Sequence, residues 1–472
     1  MCIHITTQFN QEHVCALVKK ILLFDLKLKQ MLLRSFIFVS LLPAVSSAQT
    51  TNLDTIAAQM QYAARQGLLD KYYPQNIDTL YGGYLSTFTY DFKAAGTQDK
   101  MIVTQARHIW STAKAAMFYK DTTYISMSRH GFYFLRDKMW DATYGGFYNL
   151  VTREGTPKST IKEAYGNAFA IYGLSAYYEC SHDTAALNLA KAGFKWLEKN
   201  SHDSIYKGYY QHLNREGSRV KRTVDVQSTS DVGYKDQNSS IHLLEAFTEL
   251  YKVWPDSLVR TRLEEMLRLI RDKIVTDKGY LQLFFTYDWK PVTFRDSSEQ
   301  SILKHKFLDH VSFGHDVETA YLMQEASEIL YGKADDKTLA IGKKMVDHAL
   351  NNGWDSSLGG FYDEGYYFKD KPGCTIINKS KNWWAQAEAL NTLQLFSYMY
   401  PKDAMQYRQK FFKEWQYAQT YLIDHEHGDW YEEGLDNEPQ RKTALKAHIW
   451  KGTYHVFRAL MNCINRVESN AH

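Results

Sequence analysis

The chain has 472 residues, of which 44% are hydrophobic and 15% aromatic, and a formal net charge of +3. Such a length supports a large buried core, and the balanced charge, free of basic or acidic blocks, gives no support to nucleic acid or an acidic macromolecule as partner. With only 8 prolines, the composition suits a helical protein with an aromatic, carbohydrate-type cleft.

Taken in chain order, the first element is an export signal. Met31-Leu32-Leu33-Arg34 leads into an apolar run from Ser35 to Val45, and the small residues Ser46-Ser47-Ala48 follow. A secretory signal peptide over 31–48 is expected, its apolar run too short to span a membrane. Residues 1–30 read as an upstream leader or a misassigned start, with Met31 as the true one. No cysteine follows the cleavage point, which argues against a lipoprotein anchor. A periplasmic or secreted protein is expected.

Beyond the leader a glycine-aromatic signature recurs six times: Gly82-Gly83-Tyr84, Gly145-Gly146-Phe147, Lys207-Gly208-Tyr209, Lys278-Gly279-Tyr280, Gly359-Gly360-Phe361 and Gly428-Asp429-Trp430. A spacing of about 60–80 residues is an internal repeat of supersecondary size. Helical periodicity fills the intervals, at Ala164 to Tyr178, Asn238 to Val253, Leu258 to Ile274, Val317 to Tyr331, Trp383 to Tyr400 and Ala444 to Ile464. Two helices fit each interval, with the glycine-aromatic piece as a hairpin or turn. This predicts an all-α fold, an (α/α)6 barrel with short Gly-aromatic hairpins between helices, as a single catalytic domain over 49–472. An open solenoid satisfies the count too, but six closes this architecture and the last repeat has no polar capping character. Asp288 to Lys306 lacks clear periodicity and reads as a long loop over one mouth of the barrel. Cys180, Cys374 and Cys463 are unevenly spaced and fit buried free thiols better than disulfides or a zinc site.

Three histidines stand in distinctive helical settings: Asn238-x-x-x-His242, Gly314-His315-Asp316-Val317-Glu318-Thr319 and Trp450-Lys451-Gly452-Thr453-Tyr454-His455. Between the second and third lies Lys381-Asn382-Trp383-Trp384-Ala385-Gln386-Ala387-Glu388. Imidazoles exchange protons near neutral pH, and beside indoles they suggest proton transfer on a sugar rather than metal hydrolysis. A lone helical histidine is more often structural, and adjacent helical residues point about 100° apart, so one of Trp383 and Trp384 faces core. His425-Glu426-His427 matches no helical ligand spacing and reads as solvated surface. No metal or other cofactor is expected.

These segments resemble the N-acylglucosamine 2-epimerase family, most closely its cellobiose and mannobiose 2-epimerase branch. The Gly314–Thr319, Lys381–Ala389 and Trp450–His455 stretches are similar to family motifs, with Arg458-Ala459-Leu460 continuing the last. Gln105-x-Arg107-x-x-Trp110 and Lys162-x-x-Tyr165-x-x-Ala168-Phe169 resemble its early-helix motifs. The chain departs from the pattern at three places: Asn238 to His242 lacks the first histidine of Asn-x-His-x-His, Thr453 replaces a proline, and Ala320-Tyr321 replaces a small residue and tryptophan. The resemblance implies a small-molecule carbohydrate substrate, no nucleic acid, no membrane span once the signal is cleaved, and a monomer or homodimer. It casts His315 and His455 as general acid/base residues, His242 as a third proton-handling or substrate-binding group, and Arg107 as stabiliser of an enediolate. Glu318, one turn from His315, would hold that imidazole's tautomer. Tyr165, Asn238 and Glu388 would bind hydroxyls, and Trp383, Trp384 and Trp450 would offer flat faces to sugar rings. The implied reaction is C2 epimerisation at the reducing end of a β-1,4-linked disaccharide. A monosaccharide isomerase, an N-acylglucosamine 2-epimerase and, on the same architecture, a glycoside hydrolase built on an acid pair are the alternatives. A non-catalytic sugar-binding protein would use the tryptophans but not three placed histidines.

Overall fold

The computed structural model describes residues 53–222 and 230–470. The expected signal peptide and upstream segment lie outside the described residues. The chain divides into a short unit, Met1–Gln59, whose described residues 53–59 are helical, and a large unit, Met60–His472.

The large unit is built from pairs of helices. We name α1 (Ile102–Tyr119), α2 (Thr123–Phe134), α3 (Ala164–Ser181), α4 (Thr184–Asn200), α5 (Gln237–Val253), α6 (Ser257–Leu269), α7 (Glu299–His305), α8 (Phe313–Tyr331), α9 (Asp336–Asn352), α10 (Trp383–Met399), α11 (Tyr407–Tyr417) and α12 (Tyr454–Asn470). Helices α1, α3, α5, α8, α10 and α12 pack in that order, and α12 returns to α1, so the inner ring closes. Helices α2, α4, α6, α9 and α11 each back the inner helix before them, and helical residues 60–72 complete the outer layer. This is the expected (α/α)6 barrel.

Side-chain pattern decides which layer a helix joins. Every residue of α3 from Ala164 to Tyr177 is buried, because small and apolar residues surround its whole girth. Its outer partner α4 buries only Ala186, Leu187, Ala190, Gly193, Phe194, Trp196 and Leu197, a single stripe at helical spacing with lysines opposite. Gly173 marks a close backbone approach in the ring: a Cβ there would stand 2.6 Å from the Ala106 carbonyl of α1.

The hairpins are held by devices that repeat with them. In the second repeat Asp141 accepts from the buried Lys162 at 3.0 Å and from Arg215 at 2.9 Å. The same scheme joins Asp78 to Lys100 and Arg153, and Asp203 to Lys235. An amide side chain on the following inner helix then clamps the hairpin backbone: Gln105 on Tyr84, Asn167 on Phe147, Gln386 on Phe361. The fourth repeat breaks the rule at both partners together. Its turn is one residue shorter, closing Val275 on Leu281 where Trp140 closes on Phe147. Thr276 stands in place of the aspartate and Val311 in place of the lysine, so no buried charge is left unpaired.

Two expectations about element boundaries are corrected. Helix α12 begins at Tyr454, not Ala444, because Lys446 and Lys451 are pinned to Asp424 and Asp429 and hold 444–453 in an irregular path. The stretch from Asp288 to Lys306 contains α7 and has a small core of its own, in which Phe294, Ile302 and Leu308 meet Leu283, Phe284, Tyr366 and Phe368. A short turn over Lys306–Leu308 follows α7, then the strand Val311–Ser312, which leads directly into α8.

Candidate active site

The residues singled out by motif sit at or near the N-terminal ends of the inner helices. His315 occupies the first turn of α8, Trp383 and Trp384 open α10, His455 opens α12, Tyr165 and Asn238 lie in the first turns of α3 and α5, and His242 lies one turn further along α5. Gly314 lets α8 and α10 converge: a Cβ there would lie 2.5 Å from that of Ala385 and 2.8 Å from the Trp384 ring. Trp384 consequently stands between two histidines, 4.6 Å from the His315 ring and 5.8 Å from that of His455.

Each imidazole is anchored through Nδ1. His315 meets Ser312 Oγ, His242 meets Glu245 and His455 meets Glu388, all at 2.8 Å. An anchored Nδ1 leaves Nε2 as the reactive nitrogen on the opposite edge of the ring. Burial lowers the His315 pKa to about 3, aided by the charges of His242 and His310. His455 is held well below the ordinary range, first by burial and then by Arg107, Arg458, His242 and His315. Both rings are thus neutral at pH 7. Their mutual electrostatic effect places the three histidines and Arg107 in one neighbourhood.

Arg107 lies buried over the faces of Phe169 (4.4 Å) and Tyr454 (4.9 Å) and donates to the Tyr165 hydroxyl at 3.2 Å. Its Nε has no protein partner, nor does Asn238 Oδ1 or Trp383 Nε1. The Tyr165 ring meets His242 edge-on at 5.3 Å. The two indoles divide as adjacent helical residues must: Trp384 faces the histidines, and Trp383 is buried toward Lys451 and His448. Trp450 is 46% exposed and stands at the solvent boundary.

Glu318 departs from its expected role. It does not reach His315, whose Nδ1 is taken by Ser312 at the helix N-cap. Glu318 accepts instead from Arg458 at 2.6 Å and lies 3.8 Å from His455 Nδ1. Glu388 likewise belongs to the layer behind the histidines, bonded to His455 and Arg458. Glu318, Glu388 and His455 bring three potential ligand atoms within 4.8 Å of one another. Arg458 donates to both carboxylates and thereby fills the role a metal cation would take there. Glu245 and Ser312 were not singled out from the sequence, and Tyr454 and Arg458, named there only as motif positions, were given no role, though the signal was present. His242-x-x-Glu245 and Ser312-x-x-His315 have the i, i+3 spacing of a shared helix face, and Arg458 follows His455 by three.

The arrangement brings largely buried imidazoles, a cationic group and an aromatic face together at one end of the inner helices, which is equipment for moving protons on a neutral polyhydroxyl molecule. That defines the class as carbohydrate epimerases and isomerases. The N-acylglucosamine 2-epimerase family model matches residues 83–459, and the chain belongs to that family. It is 31% identical over 400 residues to a cellobiose 2-epimerase of Ruminococcus albus, covering 82% of this chain and 92% of the relative. A Bacteroides fragilis cellobiose 2-epimerase is 28% identical over 406 residues, covering 85% and 97%. The solved cellobiose 2-epimerase of Spirochaeta thermophila superposes with a TM-score of 0.76 at 26% identity, covering 89% of this chain and 99% of that one. Family 76 glycoside hydrolases share only the fold, at 10% identity and a TM-score of 0.55.

Proposed function

We propose that the enzyme interconverts C2 epimers at the reducing-end residue of a β-1,4-linked disaccharide, cellobiose or mannobiose, through an enediolate. The observation that carries this reading is the placing of His315 and His455 against Trp384, with buried Arg107 over the Tyr454 ring next to His455. The C2 proton becomes removable once the ring opens and C1 is a carbonyl. Ring opening takes a proton from O1 and delivers one to O5, and C2 exchange then needs a base on one face and an acid on the other. His315 and His455 flank Trp384 and suit the two faces.

The low imidazole pKa values fit this chemistry. A strongly depressed histidine is a weak base toward a neutral substrate, but the enediolate's negative charge favours the imidazolium formed beside it and offsets the depression. Arg107 offers a fixed positive charge for the oxyanion, and the positive ends of the inner helices add to it. Trp384 supplies a stacking face for the reducing sugar, and exposed Trp450 one for a second ring. Tyr165 and Asn238 keep their assignment to hydroxyl binding, whereas Glu388, buried behind His455 and bonded to it and to Arg458, does not.

A monosaccharide isomerase is the second reading. It draws on a D-mannose isomerase of Marinomonas mediterranea, 24% identical over 394 residues, since an enediolate yields a ketose when the proton returns to C1. Export through the 31–48 segment to the periplasm or outside the cell, and a monomer or homodimer, belong to the same proposal. N-terminal sequencing of protein recovered from the periplasm checks the first, with a start near residue 49 expected. Incubation in D2O with cellobiose, mannobiose, glucose, mannose and N-acetylmannosamine tests the reaction. Deuterium at C2 with growth of the 2-epimer supports it, and release of monosaccharide from a disaccharide sinks it.

A further inference from the structure

Behind the histidines lies a layer of charge that the epimerase reading leaves unused. Arg458 is 2% exposed and is surrounded by three buried carboxylates. One guanidinium arm serves Glu245 together with the Tyr454 hydroxyl, and the other divides between Glu318 and Glu388, at 2.6 Å each. One cation cannot neutralise three buried carboxylates, and the hydrogen bonds show where the deficit falls. Glu245 accepts from two fixed donors, Arg458 and the Tyr454 hydroxyl, on one oxygen and meets His242 Nδ1 with the other, so both its oxygens are engaged. Glu388 has one fixed donor, half of one arm, on the oxygen that also meets His455 Nδ1, and its Oε2 is buried without a partner.

We propose that Arg458 is a positioning residue that sets the site's proton inventory. By pairing fully with Glu245 and only partly with Glu388, it keeps the first a carboxylate and the second a carboxylic acid. His242 and His455 are thereby held in opposite tautomers. A carboxylate at Glu245 requires the proton on His242 Nδ1 and leaves Nε2 a free lone pair. A protonated Glu388 donates to His455 Nδ1 and leaves the proton on Nε2. The electrostatics agree. Burial raises Glu388 to about 8, opposed by Arg458 and reinforced by Glu318 and Glu245. The burial of Glu245 is overridden by Arg458, His242 and Tyr454, bringing it to about 2. Arg107, Arg458, His242 and His315 all face His455 with cationic or protonatable groups, so its imidazolium is disfavoured and its single proton must be placed by Glu388.

This inference rests on the proposed reaction for its catalytic meaning. Ring opening uses one acceptor and one donor. His242 Nε2 takes the O1 proton and becomes an imidazolium beside the Glu245 carboxylate. His455 Nε2 gives its proton to O5 while the Glu388 proton crosses to Nδ1. That leaves a neutral imidazole and a Glu388 carboxylate, which the shared arm of Arg458 then pairs. One proton has left the sugar and one has reached it.

Two-bond proton–nitrogen correlation spectra of the full chain labelled with ¹⁵N-histidine read the tautomers directly, with assignment by His242→Asn and His455→Asn. At pH 7 His242 is expected as the Nδ1–H form and His455 as the Nε2–H form. Arg458→Lys keeps one charge but loses the fork. It is expected to mix the tautomers and to lower kcat about tenfold or more with KM little changed. Should that variant not fold, Glu245→Gln carries the test. Arg458 and Tyr454 claim its amide oxygen, its amide nitrogen donates to His242, and His242 moves to the Nε2–H form. Like tautomers in the wild type, or tautomers unmoved in whichever variant folds, overturn the proposal. Opposite tautomers in a protein that exchanges no sugar proton would sink the epimerase reading and leave the clamp standing.

Discussion

At the scale of single residues, the chemistry falls to side chains that stand in sequence motifs and to partners that only packing reveals. His315→Asn and His455→Asn should each lower C2 exchange by about 10²–10⁴-fold, the range for losing a positioned acid or base, with an unchanged circular dichroism spectrum. Arg107→Met should cut kcat by about 10²–10³-fold, as removal of an oxyanion donor does, and steady-state kinetics on the exchanging sugar measure it. The histidines were legible because each stands in a motif. Their anchors were not, because a glutamate three residues along a helix looks like any solvated pair until packing shows it buried. Which indole faces the cleft was also illegible: the 100° step between Trp383 and Trp384 was known, but not the rotation of α10. Gly314, which fixes how closely α8 and α10 approach, supplies that rotation only in three dimensions.

At the scale of elements, the repeat joins sequence to architecture. Its glycine-aromatic signature could be read directly, while the buried aspartate–lysine pair beneath every hairpin but the fourth could not, since the partners are separated by 21 residues in the second repeat. Burial pushes the Asp141 carboxyl up, but donation from Arg215 and Lys162 overrides it and holds it well below the ordinary range. Asp141→Asn should therefore cost about 3–5 kcal/mol, the penalty for breaking a buried pair and stranding its partner, as measured by urea unfolding. Thr276→Asp in the fourth repeat, where Val311 offers no lysine, should destabilise rather than add a clamp. Gly173→Ala should cost about 1–3 kcal/mol through overpacking of α1 against α3. The boundary of α12 was misjudged for the same reason as the missed pairs: Ala444 to Thr453 has helical composition, and two buried lysines hold it out of the helix.

At the scale of the whole molecule, closure of the ring was legible from the count of six, and the electrostatics of the buried interior were not. Burial dominates them and works in both directions. Glu414 is buried with one oxygen unpartnered and the other accepting from Gly360 N at 2.9 Å. Burial raises its pKa from 4.5 to about 8, against the Gly360 N–H and Lys381. The folded state thus binds a proton that the unfolded chain releases. The stabilising contribution is complete below pH 4.5 and is lost as pH rises toward 8. Glu414→Gln removes that slope, so the variant should gain on the wild type by about 2 kcal/mol or more between pH 5 and pH 8. Paired urea melts at the two pH values check it. Asp141 has the opposite sign: its contribution is present above the unfolded value of 3.8 and is lost on acidification.

The central claim is that the histidines around Trp384 move a proton at C2 of a reducing sugar. Proton NMR of the purified enzyme with cellobiose in D2O tests it most directly. The account predicts loss of the reducing-end C2 proton signal with growth of the 2-epimer, abolished together in His315→Asn and His455→Asn. A C2 signal that persists for cellobiose, mannobiose and the monosaccharides alike, or glucose released from cellobiose with those histidines replaced, would contradict it.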